Sequence, residues 1–443
     1  MVDFKLANEA MRKARNKIVP CAVLMYVMCF LDRSNIGFAK QAFQLDTGIS
    51  DAAFALGAGI FFLGYAAFEV PSNIIMHRVG AKFWLTRIMV TWGLIAAGFA
   101  LVTTETEFLV LRVLLGIAEA GLLPAIVYYF TYWFTEEHRS SMMGLFWLGV
   151  PLAFVFGSPI SGLLLDLHGF LGFNGWQWMF AVEGLLAAAV GIVIYERLCD
   201  KPDDAAWLTD EEKAALKDVL AEEASHKKFE KVGALSALTN PKVWYMCLIS
   251  FVVQIANNGF NFYFPTQVAN LLGMKVGTTV GFVSAIPWIC CAIAMVYLPR
   301  LSDKTGSRGI MAGWIIFISG IGYIVSATTI PALGITAMCF VAACNVACQP
   351  IYWTMPGRFL TGAGAASGIA LINSLGNLGG FVAPNLRVWA ETTFASTTAG
   401  LYTMAGMAFL SAILLWLTVP MGLGNNLLKK LQKDKQKKLV NTD

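Results

Sequence analysis

The sequence predicts an all-α integral membrane protein, with twelve transmembrane helices in two six-helix pseudo-symmetric bundles. Three observations carry this reading. Hydrophobic residues make up 57% of the 443-residue chain and charged residues 14%, too few to cover a soluble surface, which needs roughly 25–35%. The apolar residues fall in long continuous runs, without the period-two alternation of a barrel strand. A loop pattern in the first half recurs in the second.

A spanning helix needs about 20 mainly apolar residues. Runs of that length lie at about 18–38, 52–75, 83–103, 107–130, 142–165 and 176–196, then at about 243–266, 278–298, 309–328, 331–355, 362–386 and 397–419. The first follows a charged start like that of a signal peptide. It ends in Asp32-Arg33 and not at a small-residue cleavage site, so it reads as a retained helix. An even count puts both ends of the chain on one side. Lys and Arg in the two tails and the even-numbered loops total 27, against three (Lys40, Lys275, Arg387) in the opposite loops. The positive-inside rule then places both termini in the cytoplasm, as expected of a multi-pass protein of the cell inner membrane.

The chain so divides into an N-terminal bundle (1–197), a cytoplasmic linker (198–242), a C-terminal bundle (243–420) and a basic tail (421–443). The linker contains Thr209-Asp-Glu-Glu212, a capping box opening a charged helix towards Lys228, read as solvated. The run Lys429–Lys438 reads as a juxtamembrane segment meeting anionic lipid; it lacks the aromatics and partner fold for nucleic-acid binding. After the second span stands His77-Arg78-Val-Gly80-Ala-Lys82. After the eighth stands Asp303-Lys304-Thr-Gly306-Ser-Arg308, matching at an offset of 226. A duplicated bundle with its site between the halves is the arrangement of a secondary transporter. Gly149, Ala153, Gly157 and Ser161 in the fifth span, like Gly362, Ala366, Ala370 and Ser374 in the eleventh, recur every four residues and read as close helix contacts. The nine cysteines include no CxxC and read as core packing. No metal or cofactor is expected.

Charges inside spans cost roughly 2.5–3.5 kcal/mol each and mark functional sites by default. The first half holds Asp32, Arg33, Glu69, Arg112, Glu119 and Glu183 within its spans; the second holds none deep in a span. Arg112 and Glu119 are seven residues apart, on one helix face about 10.5 Å along the axis. They are too far apart to pair, so each needs a partner on another helix. With Asp32 and Arg33 they form a neutral set of two acids and two bases across helices one and four. Glu69 and Glu183 lie nearer the interfaces and read as structural. The second half offers amides at helical spacing: Gln254, Asn257 or Asn258, and Asn261; Asn345 and Gln349; Asn373 and Asn377. They serve equally as hydroxyl ligands or as helix-helix glue. Charge on one side and neutral donors on the other suggest a solute with a carboxylate at one end and hydroxyls at the other.

Four stretches carry a family resemblance: Cys29-Phe-Leu-Asp32-Arg33-Ser-Asn35-Ile-Gly37, Arg112-Val-Leu-Leu-Gly116-Ile-Ala-Glu119-Ala-Gly121, Gly175-Trp176-Gln-Trp-Met-Phe-Ala-Val-Glu183-Gly184 and Asp303-Lys304-Thr-Gly306. The chain resembles the major facilitator superfamily across all twelve spans, and within it the anion:cation symporter branch. Gln349-Pro-Ile-Tyr-Trp353-Thr-Met-Pro356, and Lys275-Val-Gly with Ala285-Ile-Pro-Trp288, are most similar to rhamnonate-type sugar-acid permeases. The resemblance implies proton-coupled import of a small organic anion by alternating access, by a monomer. It implies Asp32 and Glu119 as proton carriers, Arg33 as carboxylate ligand and Arg112 as switching partner. It also implies Tyr65 and Asn373 as further ligands, with Asn257, Asn261 and Trp353 as candidates beside them, and Arg78, Asp303 and Arg308 at the gates. One departure is that Asn73 and His77 stand where the superfamily usually has Gly and Asp. The nearest rival is a proton-coupled exporter, since Gly157-Ser-Pro159-Ile-Ser161-Gly162 partly resembles the antiporter motif. No HExxH, Walker loop or GxSxG points to an enzyme, and no repeated pore loop to a channel.

Overall fold

The computed structural model describes residues 3–226, 239–356 and 362–423; the basic run Lys429–Lys438 lies outside them. Every long element is a helix, as lipid demands of a chain whose backbone must satisfy its own hydrogen bonds. Among the described residues eleven helical segments are long and apolar enough to cross a membrane. A twelfth helix, Gly362–Thr393, covers the remaining expected span. The helices are α1 (Phe4–Thr47), α2 (Asp51–Val79), α3 (Ala81–Gly98), α4 (Glu105–Glu119), α5 (Leu122–Thr131), α6 (Glu136–Trp147), α7 (Gly149–Leu165), α8 (Gly175–Arg197) and α9 (Asp210–His226). There follow α10 (Pro241–Asn261), α11 (Phe264–Leu272), α12 (Thr278–Thr305), α13 (Arg308–Ser326), α14 (Pro331–Trp353), α15 (Gly362–Thr393) and α16 (Thr397–Leu417). By contact the chain forms two units, Met1–Lys228 with Asn261–Ile286, and Phe229–Phe260 with Pro287–Asp443.

In the first unit α1 is 44 residues long, about 66 Å at 1.5 Å per residue, twice what a bilayer core requires. It starts well before the apolar run because the Asp3 carboxylate caps the amides of Lys5 and Leu6. The polar first turns carry α9, so the linker helix is docked on α1 and not merely solvated. Ala7 packs with Ala215 and Val219, and Lys13 Nζ lies 2.7 Å from Glu212. Trp133 stacks on Trp207 at 5.4 Å.

Small residues set the helix spacing. A Cβ on Gly116 of α4 would meet the Phe61 carbonyl of α2 at 2.1 Å, and one on Gly184 of α8 would meet the Ala97 nitrogen of α3 at 2.4 Å. The fifth-span ridge packs on α1 through Gly149 and Gly157, against Tyr26 and Leu31. Asn261–Ile286 joins this unit through contacts of the same kind. A Cβ on Gly281 would meet the Ser158 carbonyl at 2.4 Å, and the Thr278 amide donates to Asp166 at 2.9 Å.

In the second unit α13 packs against α14 and α16, with Gly322 on Val341 and Gly320 on Phe409. Arg387 corrects the sequence reading. It lies inside α15 and is buried, not in an outer loop, so this half does hold a charge within a helix. The helix continues past the apolar run because Arg387 Nε donates to Glu391 one turn on, at 2.8 Å, and Nη1 donates to the Gly259 carbonyl at 3.1 Å.

Candidate functional site

Helices α1, α2 and α4 of the first unit bring five of the expected residues together: Asp32, Arg33, Tyr65, Arg112 and Glu119. Their convergence follows from packing. Gly64 and Gly116 let α2 and α4 approach backbone to backbone, a Cβ on Gly64 meeting the Val113 carbonyl at 2.8 Å. The fourth span is not continuous, as its hydropathy suggests. It breaks after Glu119, where Gly121 has φ +92°, and α5 starts at Leu122. Glu119 is therefore the last residue of a helix, with its carboxylate at the negative end of the helix dipole.

That unfavourable position is compensated from α1. Glu119 is fully buried, and its Oε1 accepts from Arg33 Nε at 2.8 Å, from Arg33 Nη2, and from Cys29 Sγ at 3.0 Å. Its Oε2 is buried with no hydrogen-bond partner. The Arg33 guanidinium stands 5.3 Å from the ring centres of Phe30, Phe61 and Tyr65, and its side chain is 26% exposed. The charge is thus held over aromatic faces yet within a solute's reach. Asp32 is buried; its Oδ1 accepts from Asn35 Nδ2 at 3.3 Å and its Oδ2 has no partner.

Arg112 finds its partners on another helix, but they are carbonyls. Nε donates to Gly57 O at 2.8 Å and Nη2 to Ala58 O at 3.2 Å, with the Phe61 ring 5.0 Å away. Asp32 and Glu119 act on it electrostatically without a direct salt bridge. A guanidinium on neutral acceptors is free to exchange them for a carboxylate. Chemically, the cluster can hold an anion at Arg33 and store protons on two acids.

Glu183 is buried in α8, its Oε1 accepting from Ser161 Oγ of α7 at 2.7 Å. Glu69 is buried four residues after Tyr65, on the same face of α2. Two participants escaped the sequence reading. Cys29 stands one turn before Arg33, and that i, i+4 spacing was the available signal. Asn35, three residues after Asp32, was the other.

The second-unit candidates are distributed differently. Asn345 is spent on structure: its amide donates to Tyr323 OH at 3.0 Å, its oxygen accepts from Ser319 at 2.8 Å, and Tyr323 donates to Ala256 O at 2.7 Å. Gln349 reaches Gln254 at 3.4 Å. The Oδ1 of Asn257 has no partner, nor, in the first unit, has that of Asn261. Trp353 and Asn373 are half-buried. Of the gate candidates, Arg78 is exposed near the end of α2 and Arg308 opens α13, while the Asp303 side chain lies outside the described residues.

Comparison with known proteins gives the family and the fold. The sequence profile of the Major Facilitator Superfamily matches residues 22–384. The chain is 44% identical over 411 residues to the inner membrane transport protein RhmT of Escherichia coli K12, covering 93% of this chain and 95% of that protein. It is 40% identical over 418 residues to an Agrobacterium vitis protein named for tartrate transport (94% and 92%). It is 38% identical over 421 residues to a quinolone resistance transporter of Acinetobacter baumannii (94% of each). Among solved structures, an inward-facing, occupied bacterial homologue of the lysosomal transporter Spinster superposes with a TM-score of 0.74 at 16% identity, over 92% of this chain and 97% of that one. The xylose transporter XylE of E. coli gives 0.70 at 15% identity, over 92% and 98%. At such identities the likeness speaks for the fold alone.

Proposed function

The chain belongs to the Major Facilitator Superfamily, and on that premise we propose that it imports a sugar acid of the aldonate class, such as rhamnonate, together with protons. One observation carries the reading: the cation best placed for a solute carboxylate, Arg33, is held by the carboxylate of Glu119. The Glu119 carboxylate and the solute carboxylate therefore compete for the same guanidinium. When Glu119 is ionised it occupies Arg33. When a proton neutralises Glu119, Arg33 is released for the solute carboxylate, which matches its planar fork. The anion then binds where the proton has bound, which is the requirement for symport.

In this scheme Asp32 is the second proton carrier, and Arg112 leaves its carbonyls for an ionised Asp32 or Glu119. Tyr65 supports the bound carboxylate. Asn257, Asn261, Trp353 and Asn373 are the neutral partners of the solute's hydroxyls, with Arg78, Asp303 and Arg308 at the gates. The protein works as a monomer in the inner membrane with both termini cytoplasmic, and its six-helix bundles comprise 1–197 and 243–420. Similarity to a protein named for tartrate transport supports a hydroxylated organic-acid substrate.

A second reading, proton-driven export, is favoured by the 38% identity to a quinolone resistance transporter. Two experiments separate the readings. Thermal-shift screening of the purified protein against aldonates, aldarates, tartrate, hydroxyaromatic acids and quinolones identifies the ligand. Uptake into right-side-out versus inside-out vesicles gives the direction. Stabilisation by an aldonate with uptake into right-side-out vesicles is expected; stabilisation by quinolones alone overturns the proposal.

A further inference from the structure

After α1, the spans of the first unit that start on the face where the chain begins do so at Ala81 (α3) and Glu136 (α6). The first N–H groups of a helix have no partner inside it, and a side-chain oxygen normally takes one. Neither helix supplies its own. Gly80 precedes α3 and has no side chain to offer. Thr135 precedes α6, but its Oγ1 lies 2.9 Å from His138 Nδ1 and bonds no helix amide. The loop His77-Arg78-Val-Gly80-Ala-Lys82 holds no acid, whereas its second copy holds Asp303.

Both acceptors come from the linker. The Lys82 amide, second in α3, donates to Asp200 Oδ1 at 2.8 Å. The Glu136 amide, first in α6, donates to Glu223 Oε2 at 3.0 Å. A carboxylate suits both places, because the helix dipole is positive there. Gly80 belongs to the fit: its φ is +93°, and a Cβ would stand 2.7 Å from Asp200 Oδ1. Between the two acids the linker is fastened at three more points. Tyr129 OH of α5 donates to Cys199 O at 2.5 Å, Trp207 stacks on Trp133, and Glu212 receives Lys13 of α1. Leu198, Ala205, Leu208 and Leu216 are buried.

We infer that the linker is a strap, with Asp200 and Glu223 as positioning residues that hold the starts of α3 and α6 and the Gly80 loop in register. Alternating access is largely rigid-body rocking of one bundle against the other. A bundle rocks as one body only while its helix ends stay fixed to one another. The strap joins α1, α3, α5 and α6 at that end of the first unit. Asp200 also gives the first loop the acid that it lacks, from a segment that follows the sixth span. This holds for transport by alternating access whatever the solute, with or without proton coupling.

Hydrogen–deuterium exchange of the full-length protein in lipid nanodiscs, read by mass spectrometry, tests each cap at its own helix. Asp200→Ala should raise exchange at the start of α3 about fivefold, the usual effect of losing one N-cap, and leave α6 alone. Glu223→Ala should do the reverse. Asp200→Asn and Glu223→Gln keep an oxygen acceptor and should restore the protection. In proteoliposomes, rhamnonate uptake by the double variant Asp200→Ala with Glu223→Ala should show turnover severalfold lower at an unchanged Michaelis constant. The pair Asp200→Asn with Glu223→Gln should recover it. Unaltered exchange at both helix starts, no rescue by the amides, or a change confined to the Michaelis constant overturns the strap. So does unaltered turnover beside raised exchange. If the double variant fails to fold, the single variants decide. If the wild type takes up no rhamnonate, the sugar-acid reading falls and exchange alone decides the strap.

Discussion

Glu119→Gln isolates the competition for Arg33. The variant keeps the side-chain shape and an acceptor for Cys29 and Arg33, but removes the charge. In the wild type, Arg33 gives Glu119 Oε1 two N–H groups, one at 2.8 Å. A solute carboxylate must displace at least one charge-assisted hydrogen bond, worth about 1.5–3 kcal/mol net. At about 1.4 kcal/mol per decade, removing the competitor tightens solute binding roughly 10- to 150-fold at a pH where Glu119 is ionised. It changes little where Glu119 already carries its proton. Calorimetric titration of the purified protein with rhamnonate, or the acid identified by the ligand screen, across a pH series checks this. Wild-type affinity should fall as pH rises, while the variant stays nearly flat and remains tight. The variant should also retain solute exchange while losing pH-driven accumulation. An affinity in Glu119→Gln that still falls with pH, or that equals wild type throughout, refutes the reasoning.

Three further outcomes follow from the same geometry. Arg33→Lys replaces a two-point planar contact by a point charge, so solute affinity should drop at least about tenfold with the unfolding temperature unchanged; unaltered affinity moves the carboxylate site to Arg112. The Lys13 hydrogen bond, followed by the Thr209 amide, holds Glu212 below the usual carboxylate range. Docking of α9 should accordingly be fully supported above the ordinary carboxylate value and weaken as pH falls through the depressed one. Amide exchange over Asp210–His226 should then rise at acid pH, and at neutral pH in Glu212→Gln. Two protons carried with a monoanion move net charge +1 inward, worth about 2.3 kcal/mol per 100 mV, or roughly fortyfold in accumulation. An inside-negative potassium diffusion potential at zero pH gradient should therefore drive uptake into proteoliposomes, and its failure beside normal pH-driven uptake means one acid is structural.

The spans were legible because run length and loop charge are local properties that lipid enforces directly. Arg112, Glu119, Asp32 and Arg33 were legible as a set because charges are costly in spans. Which of them pair was not, since periodicity gives a residue's face but not its partner. Glu119 was free to meet either arginine, and only the approach of α1 gives it Arg33 and leaves Arg112 on the carbonyls of Gly57 and Ala58. The break after Glu119 had a local signal that hydropathy masked. Gly121 stands in the place of a helix-ending glycine, and Pro124 in the first turn of the next helix. Arg387 was assigned to a loop because apolarity ends before the helix does; its pairing with Glu391 keeps the turn. Docking of α9 on α1 depends on Ala7 meeting Ala215 across the fold, and no local pattern reports that.

Simultaneous recording of solute and proton movement tests the central claim most directly. Proteoliposomes carrying the wild type receive rhamnonate, or the acid identified by the ligand screen, while external pH and internal solute are followed together. The account predicts alkalinisation of the medium in step with solute entry, and its loss in Glu119→Gln even though solute still exchanges. Solute accumulation with no proton movement, or unaltered alkalinisation in Glu119→Gln, would contradict it.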